Sequence, residues 1–260
     1  MIGKDRRDRL IEIIKYEKKV TVADLSQRFM VTEETIRQDL EHLELAGMLT
    51  RTRGGAVLKT EKLIDRLGYI NRSQMNVEEK LVIARLVAKL IPDGATIFAD
   101  ASTTVMEALK LLDHRSDLTV LTNSVTVLSV LNQSRLNIMS TGGTNNPLSC
   151  SLQGVIARNT IMNYHVDYAL TSCKGMWLQE GLYDSREGET EVKQLMIGRG
   201  QKVILLVDHT KFDHMSFVKY CNFYQIDVLV TDEKPSDEWV EMLAENQVQL
   251  LYPGGLKVVL

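Results

Sequence analysis

The chain has 260 residues, of which 44% are hydrophobic and 25% charged, with a formal net charge of −3. That length suggests two domains rather than one small motif, and the composition is that of ordinary globular domains. No apolar run reaches transmembrane length, and the mild negative charge argues against indiscriminate nucleic-acid affinity. Residues 1–60 carry 12 Lys and Arg against 10 Asp and Glu, while the remainder is net acidic, so a basic-leaning head precedes an acidic body. The N-terminus, MIGKDRRDRL, lacks the apolar core of a signal peptide, and Cys150, Cys173 and Cys221 show neither close pairing nor metal spacing. Both features predict a protein of the reducing cytoplasm; neither a membrane partner nor a cofactor is expected.

Asp5–Lys18 is a helix candidate, with Leu10, Ile13 and Ile14 as its apolar stripe. Thr21 opens a second helix through a capping box in which Asp24 replaces the usual Glu, and Leu25 and Phe29 face inward. Thr32 caps a third helix, where Glu33 and Glu34 sit in the first turn and Ile36, Leu40 and Leu43 recur at helical spacing. Gly47 suits the helix stop, Met48–Arg53 reads as a strand, and Gly54 and Gly55 permit a tight turn before Ala56, Val57 and Leu58. Three short helices followed by a hairpin make a winged helix-turn-helix over residues 1–58.

Recognition helices present their N-terminal half to base edges, which selects Thr35, Arg37 and Gln38, with Thr32 at the cap. Gln pairs with adenine and Arg with guanine or phosphate. On the wing, Arg51, Arg53, Gly54 and Gly55 are placed to meet phosphates or the minor groove. Taken alone, each of these residues reads better as an ordinary solvated surface group; the combined pattern carries the expectation of double-stranded DNA as partner.

The segment IRQDLEHLELAGMLTRTRGGAV closely resembles the DeoR family of bacterial transcriptional regulators, whose signature runs V-S-x-x-T-I-R-R-D-L and then G-x-L-x-R-x-H-G-G-A. Here Val31 and Thr32 stand for Val-Ser, Gln38 replaces the second Arg, and Arg53 replaces the His. Loss of a charge at position 38 implies a target sequence different from that of relatives.

Residues 59–75 are polar and non-periodic and read as a linker, partly helical. Asn76 then caps a long helix, with Glu79 completing a capping box and Leu81, Ala84, Val87, Ala88 and Ile91 on its buried face. From Ala95 short apolar runs alternate with helical stretches: Thr96–Ala99, Leu118–Leu121, Leu136–Met139, Val166–Leu170, Val203–Val207, Val228–Val230 and Val248–Leu251. This predicts a mainly parallel α/β domain over 76–252, followed by a tail at 253–260 with no assigned role. The chain as a whole is thus a multi-domain α/β protein.

Ligands of such sheets bind beyond the carboxyl ends of the strands. Five consecutive strand ends carry small hydroxyls, glycines, amides or a lysine: Asp100–Thr104, Thr122–Ser124, Thr141–Gly143, Thr171–Gly175 and Asp208–Phe212. Ser102, Thr103 and Thr104 at a helix start form a phosphate cradle. Gly142 and Gly143 let backbone approach a ligand, and Lys193 and Lys211 add positive charge. Asp100 and Asp208 could accept hydrogen bonds from sugar hydroxyls, and Thr122, Asn123, Ser124 and Thr141 complete the expected effector-binding set. Taken singly, each has a plainer reading: a helix cap, a turn, or, for Lys193, the solvated face of a charged helix over Glu187–Arg199. His42, His114, His165, His209 and His214 show no metal spacing, and Trp177 and Trp239 read as packing residues.

The resemblance extends to these places. The family's sensor domain carries D-x-G-[ST]-T, T-N-S, T-G-G, E-x-x-x-K and D-H-S-K-F segments, matched here by Asp100–Thr104, Thr122–Ser124, Thr141–Gly143, Glu189–Lys193 and Asp208–Phe212, with Ser102 in place of the Gly and Thr210 in place of the Ser. It implies a fold similar to ribose-phosphate isomerase and coenzyme A transferases. It also implies a homo-oligomeric repressor of a carbohydrate-utilisation operon, controlled by a phosphorylated sugar. The alternative is a phosphosugar isomerase-like enzyme with a DNA-binding head; fold similarity does not confer chemistry, so an enzyme is not the expectation. An RNA-binding role is disfavoured by the acidic body and the lack of an aromatic stacking platform.

Overall fold

The computed structural model describes residues 3–17, 19–45, 49–58 and 68–257. The chain divides into two units, Met1–Met75 and Asn76–Leu260.

The first unit contains α1 (Gly3–Glu17), β1 (Lys19–Thr21), α2 (Val22–Phe29), α3 (Glu33–Leu45), β2 (Leu49–Thr52), β3 (Gly55–Leu58) and α4 (Gly68–Ser73). Its core is one small cluster in which Leu10 and Ile14 of α1, Leu25 of α2, and Ile36, Leu40 and Leu43 of α3 are buried together with Leu49 and Ala56 of the hairpin. The helical periodicity of the sequence therefore marks the buried faces. Thr21 Oγ1 accepts from Asp24 N at 3.3 Å, so the Thr half of the expected cap forms. The hairpin is not alone: β1 adds to it, giving the antiparallel order β1-β3-β2 with Thr21 opposite Gly55. Three residues are too short to betray a strand by alternation. Gly47 and residues 59–67 of the linker lie outside the described residues, and α4 falls inside the stretch read as linker.

The second unit opens with α5 (Val77–Ala88) and continues with β4 (Thr96–Ala99), α6 (Thr103–Leu111), β5 (Thr119–Thr122), α7 (Val125–Val130), β6 (Asn137–Ser140), β7 (Thr144–Asn146), β8 (Ser151–Gln153), α8 (Val155–Met162) and β9 (Val166–Thr171). Next come β10 (Gly175–Trp177), β11 (Gly181–Asp184), α9 (Glu187–Arg199), β12 (Gly200–Leu206), β13 (Val218–Cys221), β14 (Val228–Val230), α10 (Asp237–Glu245), β15 (Gln249–Tyr252) and β16 (Gly255–Lys257). Eight strands form one sheet in the order β16-β15-β14-β12-β9-β4-β5-β6. Neighbours are parallel throughout except β16, which pairs antiparallel with β15, so part of the expected tail extends the sheet.

Strand residues alternate between two apolar layers, as a sheet covered on both faces requires. Ile97, Val120, Ile204 and Leu206 pack with Ile83 and Val87 of α5 and Val105 and Leu109 of α6. Phe98, Leu121, Val203 and Leu205 pack on the other face with Ala157 and Ile161 of α8, Val192 and Met196 of α9, and Trp239 and Leu243 of α10. Phe212 and Phe223 meet the Trp239 ring edge-on at 4.9 and 5.6 Å, confirming Trp239 as a packing residue. Two small antiparallel sheets, β7-β8 and β10-β11-β13, were not foreseen; their strands have three or four residues each.

The helix start at Asn76 differs from expectation. Asn76 adopts φ 49° and ψ 45° and makes no side-chain cap, so the capping box with Glu79 does not form. Its amide Nδ2 donates instead to Asp208 Oδ1 at 3.1 Å and Thr210 Oγ1 at 3.3 Å.

Candidate DNA-reading surface and candidate effector site

On α3, Thr32 Oγ1 accepts from Thr35 N at 3.2 Å and lies 2.9 Å from Thr35 Oγ1, so both hydroxyls serve the helix start. Arg37 and Gln38 are exposed. Arg37 is not a free cation: Nη2 lies 2.6 Å from Glu33 and Nη1 3.4 Å from Glu34. The two acids of the first turn therefore hold the arginine as well as favouring the helix dipole. The side chains of Gln38, Arg51 and Arg53 have no partner among the described residues, while the Arg51 amide donates to Glu44 at 2.8 Å. Asp39 is a structural residue that the sequence pattern does not mark: it is buried and pairs with Arg6 of α1 at 2.5 Å, tying α3 to its support. A lone acid one residue from Gln38 gave no signal of burial.

The wing depends on its glycines. Gly54 has φ +94°, and a Cβ on Gly55 would lie 2.0 Å from the Val20 carbonyl oxygen. Gly55 is thus the point at which β1 and β3 approach too closely for any side chain.

In the second unit the sheet order brings four of the strand-end segments together: β12, β9, β4 and β5 are consecutive neighbours, and Asp208, Thr171, Asp100 and Thr122 lie at their carboxyl ends, with Thr141 following the next strand, β6. Asp100 is buried and accepts from Ser102 N at 2.9 Å, Thr171 Oγ1 at 3.0 Å and Ser172 N at 3.0 Å. Lys193 of α9 lies 3.3 Å from the same carboxylate. Its Nζ also donates to Asp184 Oδ2 at 2.6 Å and Ser172 O at 2.5 Å, beneath the Tyr220 ring at 5.7 Å. Burial opposes the Lys193 charge, but Asp184 and Asp100 outweigh it and raise its pKa well above the ordinary value. Burial likewise opposes the Asp184 carboxylate, and Lys193 and Lys174 outweigh it, lowering its pKa. Lys193 is therefore not on a solvated face. Its three N–H groups are used within the protein, and both oxygens of Asp100 already accept hydrogen bonds there.

The remaining strand-end groups are engaged to different degrees. Ser102 caps α6, its Oγ accepting from Val105 N at 3.2 Å, and Met106 N donates to Ser102 O. The Thr103 and Thr104 amides and hydroxyls have no hydrogen-bond partner among the described residues. They present two N–H and two O–H donors at the positive end of a nine-residue helix. Thr122 Oγ1 donates to Ala99 O at 2.7 Å and accepts from Ser124 N at 3.0 Å, linking β4 to the turn after β5. Ser124 Oγ caps α7 through Val127 N. Thr141 is buried, its hydroxyl donating to Gly142 O at 3.1 Å. Gly142 and Gly143 have φ +65° and +116°, and a Cβ on Gly143 would lie 2.5 Å from Gln153 O. Asp208 is buried and held by Asn76 and Thr210; burial would raise its pKa, and Lys211, Thr210 and Lys80 bring it below the ordinary range. Lys211 Nζ contacts Thr210 Oγ1 at 3.1 Å and is 3.8 Å from Asp208, leaving it the least engaged lysine of the expected set.

His209 donor atoms lie within 4.8 Å of those of Asp232 and Glu233, and its Nδ1 is already hydrogen-bonded to Asp232 at 2.8 Å. A cleft of about 660 Å³ lies at the opposite, amino edge of the sheet, lined by residues including Asp93, Asp167, Lys202 and Asp227. Two of its carboxylates serve the fold: Asp167 accepts from Thr96 and Asp227 from Val203. The third, Asp93, pairs with Arg115 at 2.8 Å, so all three carboxylates of this cleft are engaged within the protein.

Comparison with known proteins identifies both units. Residues 6–62 match the DeoR-like helix-turn-helix domain, and residues 75–233 match the DeoR C terminal sensor domain. The chain is 36% identical to the HTH-type transcriptional regulator GolR of Listeria innocua, over 88% of this chain and 91% of that protein. It is 34% identical to the HTH-type transcriptional repressor GlcR of Bacillus subtilis, over 96% of each. It is 28% identical to the glycerol-3-phosphate regulon repressor of Escherichia coli, over 94% and 97%. Among solved structures, ribose 5-phosphate isomerase A from Methanocaldococcus jannaschii aligns with 17% identity and a TM-score of 0.40, over 53% of this chain and 55% of that one. GolR, GlcR and the glycerol-3-phosphate regulon repressor are regulators rather than enzymes, and no described helix is long and apolar enough to cross a membrane. A winged helix-turn-helix followed by the matching sensor domain, with relatives aligned over nearly the whole length, means that the chain belongs to the DeoR family of DNA-binding transcriptional regulators.

Proposed function

We propose that this regulator is a repressor of a carbohydrate-related operon, and that a phosphorylated sugar or related metabolite at the carboxyl edge of the sensor sheet weakens its hold on operator DNA. One observation carries the effector half of this reading: the unpartnered amides and hydroxyls of Thr103 and Thr104 at the start of α6. Helix N-termini with free N–H groups bind phosphates. Lys211 after β12 and Gly142 and Gly143 after β6, each two strands along the sheet from β4, flank the cradle, while Asp100 and Lys193 hold its loops in place. The regulons and ligands suggested by the names of relatives, glycerol 3-phosphate among them, agree with this class. On the DNA side, Gln38 and Arg37 of α3 read the major groove, Thr32 and Thr35 set the helix start, and Arg51 and Arg53 engage the backbone beside Gly54 and Gly55. The protein acts as a homo-oligomer, the usual way of reading paired half-sites.

The effector must prefer one of two arrangements. A coupling of about 1–3 kcal/mol changes operator affinity roughly 5- to 150-fold. The test is operator binding near the protein's own gene while sugar phosphates are titrated in. Weakened binding with at least one of them is expected; indifference to all would remove the effector reading and leave a regulator of another kind.

A further inference from the structure

Among the described residues, one buried side-chain polar atom lacks a hydrogen-bond partner: the amide oxygen Oδ1 of Asn123. The residue is 3% exposed. Its Nδ2 donates to Leu152 O at 3.2 Å, which fixes the amide orientation, because a flipped amide would set oxygen against carbonyl oxygen. Strand register locates it. Thr122 pairs with Ala99 on one side and Ser140 on the other, so Asn123 follows β5 between the Asp100–Thr104 loop and the Thr141–Gly143 segment. The nearby polar side chains before and along β8 are neutral: Ser149 and Ser151 hydroxyls lie 2.8 Å apart, Gln153 Nε2 donates to Ser151 at 2.9 Å, and Ser151 forms a backbone bridge with Ser124.

Buried acceptors are seldom left unpaired in native proteins, and an exception points to a missing water or ligand donor. The two parts of this edge differ in what they request. The α6 start offers donors and suits an anion, whereas Asn123 Oδ1 asks for a donor. A phosphate dianion has none to give, but a sugar or polyol hydroxyl does.

We infer that Asn123 is a specificity-determining residue that accepts a hydrogen bond from a hydroxyl of the effector, which is therefore a hydroxylated phosphate ester with its anionic end at α6. This rests on the effector reading above and narrows it: a bare anion or an alkyl phosphate fills the cradle without satisfying Asn123. Sites built to hydrogen-bond a ligand hydroxyl discriminate strongly against analogues without it, because the buried partner is then left unpaired.

The test is calorimetric titration of the full chain with glycerol 3-phosphate, ribose 5-phosphate, glucose 6-phosphate, propyl phosphate and inorganic phosphate. At least one hydroxylated ester should bind about tenfold or more tightly than propyl phosphate. In Asn123→Leu that ester should fall to the level of propyl phosphate. Equal binding of hydroxylated and alkyl esters by the wild type, or a preference that survives in Asn123→Leu, would overturn the inference while sparing the phosphate cradle. No binding of any of the five would overturn the effector reading itself. Should Asn123→Leu fail to fold, Asn123→Ser takes its place in the same comparison, and the preferred hydroxylated ester should again lose its advantage over propyl phosphate.

Discussion

Asn76 gives its side-chain amide to Asp208, 132 residues further along the chain, at 3.1 Å, and in doing so leaves the helix it begins without a side-chain cap. The same side chain reaches Thr210, and Lys80, one turn into α5, is buried and helps lower the pKa of Asp208. The first residue of the second unit is therefore fastened to the strand-end loop that carries Lys211. Asn76 also holds φ +49°, a left-handed conformation that Asn tolerates better than most residues. Asn76→Ala should lose both hydrogen bonds and add backbone strain, lowering stability by about 1–3 kcal/mol. Asn76→Gly loses the bonds but relieves the backbone and should cost less. Urea unfolding followed by circular dichroism measures the difference; equal losses would mean that backbone strain contributes nothing.

Lys193 stands between two buried carboxylates, so its removal leaves charge without a partner. Lys193→Met should destabilise the fold by about 3–5 kcal/mol. The pH dependence gives a sharper test. The folded Asp184 pKa is lowered, so in the wild type its contribution is present above the unfolded value near ~4 and lost as pH falls through the folded pKa. The folded Lys193 pKa is raised, so its contribution is full below ~10.4 and lost as pH rises through the folded pKa. Stability from this pair is thus flat through neutral pH. In Lys193→Met, burial should push Asp184 upward, and the variant should gain stability as pH falls from 7 towards 4. Denaturation midpoints at several pH values decide; a variant that follows the wild-type profile would show that Asp184 does not depend on Lys193.

The seven central strands and the three head helices were legible because burial there follows a simple period. Ile97 and Phe98 alternate between layers, and Ile36, Leu40 and Leu43 repeat along one helical face. The strand-end segments were legible through topology, since parallel neighbours bring their carboxyl ends together. What was not legible is how each polar group is spent. Glu187–Arg199 reads as a charged surface helix, yet Lys193 within it is buried by carboxylates that come from the ends of β4 and β11, far away in sequence. Asn76 has the sequence of a helix cap, whose oxygen would accept from the first turn, but it makes no such bond and its Nδ2 donates to Asp208 instead. Such choices depend on partners brought together only by the folded sheet, and local pattern carries no trace of them.

Gly142 and Gly143 look alike in sequence but should respond differently to a methyl group. Both have positive φ, so each alanine variant carries backbone strain. A Cβ on Gly142 would meet Ile156 Cγ2 at 3.4 Å, an ordinary contact with a side chain, whereas on Gly143 it would lie 2.5 Å from the Gln153 carbonyl oxygen. Gly143→Ala must displace the β7-β8 hairpin and should cost at least about 1 kcal/mol more than Gly142→Ala. It should also disturb phosphate-ester binding more. Thermal unfolding and ester titration of the two variants provide the comparison, and equal behaviour would show that the hairpin yields freely.

Arg37 is expected to contact DNA, but in the free protein its guanidinium rests against Glu33 at 2.6 Å and Glu34 at 3.4 Å on its own helix. All three side chains are exposed, so the pairs contribute little to stability and the arginine can leave them for a phosphate or a guanine edge. Leaving still has a consequence: two carboxylates remain beside the DNA and repel it. Removing one should therefore strengthen binding. Glu33→Gln is expected to raise operator affinity severalfold at low salt, an advantage that fades as ionic strength rises. Arg37→Ala should weaken binding by about 1–3 kcal/mol if the contact is to a base, with relaxed preference at that position. If the contact is to a phosphate, the loss should be uniform across sequences, with the salt slope reduced by about 1. In the double variant the benefit of Glu33→Gln should shrink, because part of it comes from freeing Arg37. Operator titrations at several salt concentrations measure all three effects; full additivity would mean that Glu33 acts on the DNA alone and does not restrain the arginine.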